Sequence, residues 1–212
     1  MIITYGGLES VKIQYGDKIL AFNPISKDSE HKGPRYGADI ALISLNDPDM
    51  NGADTVSRGD REPFVIKGPG EYEVAGLFIR GIASKSLYGG KERINTIYSL
   101  EIDDMRVAFL GALGDKELSP EAKEVLGESN ILIVPIGGDG VLDASSAYEL
   151  AVKREPNIII PIHYGDVGDK DALKDFLKEG GVHNLKPEEK LTIKRKDLDG
   201  KEGEIVVLES QI

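Results

Sequence analysis

Two short apolar runs in the second half of the chain, residues 131–135 (Ile-Leu-Ile-Val-Pro) and 157–161 (Asn-Ile-Ile-Ile-Pro), constrain the fold most. A strand that is apolar on both faces must be covered on both faces, which points to a sheet layered with other elements. Helices with clear punctuation surround both runs. Ser119 can cap a helix with Pro120 at its first position, and Gly127 can end it. Asp143 can cap a second, in which Ala147, Leu150, Ala151 and Arg154 share one face and Pro156 stops the helix. Asp169 can open a third, with Leu173, Phe176 and Leu177 spaced i, i+3, i+4 and Gly180-Gly181 beyond its end. Residues 205–208 read as a closing strand.

The first half reads as strands. Val11, Ile13 and Tyr15 alternate with polar neighbours, and Gly16-Asp17 turns the chain into 18–22, predicting a hairpin. Residues 40–43 form another buried run, and 77–82 suggest a further strand. Residues 96–102 and 105–110 predict a second hairpin across Asp103-Asp104. The segment 68–73, Gly-Pro-Gly-Glu-Tyr-Glu, reads as a turn between strands. Strands first, then alternating helix and strand, indicates an α/β fold (α+β by some schemes) with a mixed sheet. No linker or low-complexity segment divides the 212 residues, so a single domain over 1–212 is expected.

Charge and composition exclude several roles. The formal net charge is -11, with 37 Asp and Glu against 26 Lys and Arg, which argues against general nucleic-acid binding. The one dense basic patch, Lys194-Arg195-Lys196, is followed at once by acids and reads as a solvated hairpin. A small anionic ligand in a local pocket, or a protein partner, stays compatible with this balance. There is no cysteine, which excludes disulfides, zinc ribbons and thiol nucleophiles. No apolar run approaches the ~20 residues that span a bilayer, and no leader pattern opens the chain, so the cytoplasm is the default expectation.

Three loops after predicted strands carry the chemical candidates: 44–50 (Ser-Leu-Asn-Asp-Pro-Asp-Met), 109–115 (Phe-Leu-Gly-Ala-Leu-Gly-Asp) and 161–165 (Pro-Ile-His-Tyr-Gly). With Tyr5-Gly6-Gly7-Leu8-Glu9-Ser10, Asn23-Pro24 and Val134-Pro135-Ile136-Gly137-Gly138, they resemble the metallo-β-lactamase superfamily along nearly the whole chain. The resemblance is to its compact branch similar to L-ascorbate-6-phosphate lactonase. It implies a four-layer αββα sandwich and, in relatives with intact motifs, metal-dependent hydrolysis of phosphoesters or lactones. The family's His-x-His-x-Asp-His loop falls on Leu45, Asp47, Asp49 and Met50. Its His-x-Gly-Asp pattern falls on Phe109 and Ala112, and its final His on His163.

Only Asp49 and His163 keep the family residue, and Leu, Met, Phe and Ala offer no useful ligand to a divalent ion. The expectation is therefore a vacated metal pocket repacked with hydrocarbon at Leu45, Met50, Phe109 and Ala112. No cofactor is expected, and the role would be non-catalytic binding or interaction, with a homo-oligomer left open. The alternative is a hydrolase using a weak Mn, Mg or Zn site built from Asp47, Asp49 and His163. A trio of Ser44, His163 and Asp49 can also be written down, as in any chain of this length. Gly137-Gly138-Asp139-Gly140 could form an anion nest, though a tight strand-to-helix turn explains it as well. His31 and His183 lie in polar stretches and read as surface residues.

Overall fold

The computed structural model describes residues 1–127, 129–165, 167–183 and 185–211. In chain order the strands of the first part are β1 (Ile2–Tyr5), β2 (Val11–Tyr15), β3 (Lys18–Phe22), β4 (Ile40–Leu42) and β5 (Phe64–Ile66). Then come β6 (Gly70–Val74), β7 (Leu77–Ser86), β8 (Arg93–Ile102) and β9 (Met105–Phe109). The remainder alternates as α1 (Pro120–Leu126), β10 (Ile131–Pro135), α2 (Ala144–Val152), β11 (Ile158–Ile162) and α3 (Ala172–Glu179), closing with β12 (Leu191–Thr192) and β13 (Glu204–Ile205).

Two mixed sheets result. The first has order β12-β1-β2-β3-β4-β5 and the second β13-β11-β10-β9-β8-β7-β6. Antiparallel hairpins build one side of each sheet, and parallel crossovers build the other. Local chemistry sets the hairpin turns. Gly16 takes φ +58 between β2 and β3, and Asp103 and Asp104 take φ +56 and +57 between β8 and β9. Left-handed conformation at both central residues suits the right-handed strand twist, and Asp tolerates it.

The main core lies between the sheets, where Ile3, Ile13, Leu20, Phe22 and Leu42 face Tyr98, Leu100, Val107, Phe109 and Ile133. Phe22 and Phe109 meet with ring centroids 5.0 Å apart. A second core sits on the outer face of the second sheet, where Ala122, Val125, Leu150 and Phe176 bring α1, α2 and α3 onto Leu132, Val134 and Ile159. The outer face of the first sheet is covered more thinly. There Ala21 and Ala41 pack with Ala38 and with Val56 of a 3₁₀ turn, Ala53–Val56. Among the described residues, no helix is long and apolar enough to cross a membrane.

The hairpins, the two buried runs and two helix caps fall where the sequence puts them. Ser119 Oγ accepts from the Ala122 amide at 3.1 Å, and Asp143 Oδ1 from the Ser146 amide at 2.8 Å. Four details differ. Asp169 does not cap α3: its carboxylate accepts from the Asp171 amide in a preceding turn, and the helix starts at Ala172. Residues 70–74 form the edge strand β6 rather than a turn, because β7 offers them a full antiparallel ladder. The strand near the C-terminus is only Glu204–Ile205, with Leu208 in an isolated bridge to Glu188. Lys194-Arg195-Lys196 leads into a 3₁₀ turn, Arg195–Leu198, anchored by buried Leu198 and so not a hairpin. Truncating Phe109→Ala should cost about 3–5 kcal/mol, as measured by urea unfolding, because the ring fills the space between the sheets.

Candidate functional site

The loops that leave β1, β3, β4, β9, β10 and β11 at one border of the sandwich meet the tip of the β7–β8 hairpin. Backbone bonds lock them together. The His163 amide donates to Leu8 O at 2.7 Å, Thr96 N to Ser44 O at 2.9 Å, and Leu87 N to Gly140 O at 2.9 Å. Two glycines permit the close approach. A Cβ on Gly111 would lie 2.3 Å from Ser44 Oγ, and one on Gly137 would lie 2.2 Å from His163 O.

Leu45, Met50 and Ala112 are buried and form one small apolar cluster with Val141, against which Tyr88 packs. The structure thus joins three of the four positions expected to hold hydrocarbon. Phe109 does not join them. It ends β9 with its ring in the inter-sheet core against Phe22, because its side chain points to the sheet-facing side of the strand.

The polar candidates Asp47, Asp49 and His163 each have a separate partner. Asp47 Oδ2 pairs with Arg93 Nη2 at 2.7 Å. Asp49 accepts from Ser29 Oγ at 2.5 Å on one oxygen and from the Tyr88 hydroxyl at 2.6 Å on the other. Burial, and then the Asp49 hydrogen bond with the charges of Asp49, Glu9 and Asp47, push the Tyr88 hydroxyl well above its ordinary pKa. It therefore stays a neutral donor. The Tyr88 and His163 rings meet edge to face at 5.6 Å. Among the described residues, no group of three or more His, Asp or Glu side chains is arranged to hold a metal ion.

His163 faces a residue that the sequence reading did not single out. Its Nδ1 lies 3.2 Å from Glu9 Oε1, with the two side chains 1% and 0% exposed. The approach is off-axis, so neither atom completes a hydrogen bond. The other Glu9 oxygen accepts from Asn23 Nδ2 at 3.0 Å, Asn23 also donates to Ser44 Oγ at 2.8 Å, and Asn23 Oδ1 accepts from the Ser44 amide at 2.7 Å. Asn95 continues the polar layer, donating to Ser84 Oγ and Leu110 O and accepting from the Ala112 amide. Nothing in the spacing of Glu9 announces burial of a carboxylate. Tyr88 and Arg93 carried a weak signal, since they flank the Gly89-Gly90 tip of a hairpin.

The remaining candidates take structural places. The Ser44 hydroxyl is bonded to Asn23 and Asp49 to Ser29 and Tyr88, so these partners, rather than a catalytic relay with His163, occupy them. Residues 137–140 close on themselves, with Gly138 N bonded to Leu142 O and Val141 N to Gly138 O, as a strand-to-helix turn does. His31 is half-buried beside Ser29, whose hydroxyl accepts its amide, and His183 is exposed.

Comparison with known proteins agrees with this architecture. The family model described as Beta-lactamase superfamily domain matches residues 2–163. A UPF0173 protein of Pyrococcus furiosus is 32% identical over 168 residues, covering 77% of this chain and 76% of that one. A UPF0173 protein of Pyrococcus abyssi is 30% identical over 145 residues, 65% of this chain and 64% of its own length. Among solved structures, a Thermotoga maritima protein named for a Zn-dependent hydrolase of the metallo-β-lactamase superfamily superposes with a TM-score of 0.77. It is 27% identical, over 99% of both chains. A Parabacteroides distasonis protein named for a metal-dependent hydrolase shares the fold alone, at 21% identity and a TM-score of 0.67, over 99% of this chain and 93% of that one. On the match that spans residues 2–163, the chain belongs to the metallo-β-lactamase superfamily.

Proposed function

We propose that this chain is a metallo-β-lactamase-fold protein without the family's hydrolytic metal centre, serving as a non-catalytic binding or interaction module. The observation that carries the reading is the apolar cluster of Leu45, Met50, Ala112 and Val141, lying where the resemblance places ligands. A zinc ion that activates water needs about three protein donors and an open position, and a pair of zincs needs a bridging acid as well. Leu45, Met50 and Ala112 supply no such donor, and only two family residues persist. Asp49 accepts one hydrogen bond on each oxygen, from Ser29 and Tyr88, and His163 has its Nδ1 at Glu9, which leaves one ring nitrogen, short of a three-donor set. Arg93 neutralises Asp47, the substitute carboxylate. The family's metal does not fit this set of side chains.

A competing reading, a hydrolase with an altered weak site, draws on one specific feature. Glu9 Oε1 and His163 Nδ1 are buried donors of metal-binding type that lack hydrogen-bond partners. Two such groups still fall short of a three-donor site. Calorimetric titration with Zn²⁺, Mn²⁺ and Mg²⁺ is expected to show no stoichiometric site tighter than about 10 µM. Turnover of bis-p-nitrophenyl phosphate should stay at background, unaffected by EDTA. A micromolar site would overturn the metal-free reading, and turnover abolished by both EDTA and Asp49→Ala would establish the hydrolase instead.

The repacking also predicts a stability effect. Replacing Leu45→His, Asp47→His and Met50→His together should destabilise the metal-free protein by at least about 3 kcal/mol, since two imidazoles replace buried hydrocarbon and the third removes the carboxylate paired with Arg93. Unchanged thermal unfolding of this triple variant would mean that the pocket is open and wet.

A further inference from the structure

A groove of about 530 Å³ runs along α3, with His183 among its lining residues and none of the loop-cluster side chains. Its floor is Leu173 and Leu177 from the helix and Val182 and Leu185 from the segment that follows, all partly buried against the helix-side core. Its rim carries Lys174 and Lys178, one turn apart on α3, and Lys170 from the turn just before the helix. Among the described residues that line it, none is acidic, in a chain with 37 Asp and Glu against 26 Lys and Arg. The helix is held firmly from the other side, where Ala172 and Phe176 are buried and Phe176 meets Tyr148 edge to face at 5.8 Å. The α3 side of the groove is therefore fixed.

We propose that this groove is a docking site for an acidic amphipathic helix of a partner protein. Lys174 and Lys178 stand ~6 Å apart along α3, and Lys170 precedes them in the turn before the helix, so the three can flank a bound helix. An apolar ridge at i, i+3, i+4 and i+7 would fill the floor between Leu177 and Leu185, while glutamates beside the ridge meet the lysines. Lys174 touches Asp171 at 3.4 Å, but both are exposed, and such a pair yields readily to a partner's carboxylate. A concave floor suits a helix ridge better than a flat bilayer, and a chain of net charge -11 is repelled by an anionic one outside these lysines. The proposal rests on the geometry of α3 and stands whether or not the loop cluster binds metal.

Fluorescence anisotropy with a labelled amphipathic peptide tests it, using the full chain and a probe with leucines at i, i+3, i+4, i+7 flanked by glutamates. Saturable binding with a Kd of about 100 µM or tighter is expected. The double variant Lys174→Glu with Lys178→Glu, which alters only exposed positions, should weaken it about tenfold or more while leaving the melting temperature near wild type. Leu173→Gln should weaken it as well. The proposal is overturned if no saturable binding occurs, if charge reversal leaves affinity unchanged, or if a probe with lysines in place of glutamates binds equally. Capture by anionic phosphatidylglycerol vesicles without peptide binding would assign the groove to a membrane surface. Sedimentation showing self-association that the peptide does not compete would assign it to a second copy; either result refutes the partner helix.

Discussion

The burial of two sheet faces against one another is the constraint on which the rest depends. Phe22 and Phe109, the last residues of β3 and β9, close the inter-sheet core at one border, with rings 5.0 Å apart. Just beyond them the regular ladders end and the backbone turns: Asn23 takes φ +42 and Gly111 φ +56. The border of the core therefore dictates where the loops converge, and hence where any site of this fold must lie. Phe109 shows how close the two regions stand. It occupies a position that the family resemblance aligns with a ligand, yet its ring belongs to the core.

Immediately outside that border, hydrocarbon continues into the loops through Leu45, Met50, Ala112 and Val141. On the proposed reading, this is where the energy once supplied by metal–ligand bonds is partly replaced. Each large apolar side chain fully buried contributes ~1.5–3 kcal/mol, and the carboxylates left over are held by Arg93, Tyr88 and Ser29. Glu9 and His163 stand apart from that economy. A buried polar atom without a hydrogen bond costs about 1–3 kcal/mol, and this pair leaves two. Their mutual attraction at 3.2 Å offsets part of that cost, as does the Asn23 bond to the other carboxylate oxygen.

Much of the fold was legible in the sequence because it rests on local signals. The Gly16-Asp17 turn, the Ser119 and Asp143 caps and the unbroken run 131–135 each bear a residue-level mark of what they become. The strand β6 was illegible for the opposite reason: Gly-Glu-Tyr-Glu-Val has weak strand character, and only the ladder to β7 makes it one. At the site, hydrophobicity at Leu45, Met50 and Ala112 was readable as packing, since apolar residues in a loop that resembles a ligand loop have few other uses. The partners of Glu9, Tyr88 and Arg93 were not readable. Their roles come from contacts with residues 39 to 154 positions away, such as Tyr88 with Asp49 and Glu9 with His163, and sequence spacing carries no trace of those.

The loop frame survives such side-chain change because its backbone is over-determined. Leu8, Asn23 and His163 adopt left-handed conformations at φ +46, +42 and +59, although none is glycine. Each costs about 1–2 kcal/mol relative to ordinary backbone, so surrounding bonds must hold it. They do: Leu8 O accepts from both Tyr5 Oη and the His163 amide, the Asn23 amide donates to Leu42 O, and its side chain clasps Ser44. None of these bonds involves a metal donor. A chain with Leu45, Met50 and Ala112 at these positions can therefore keep the turns of the fold. That separation between backbone frame and side-chain chemistry is why family membership is plain in this protein while its activity has to be argued residue by residue.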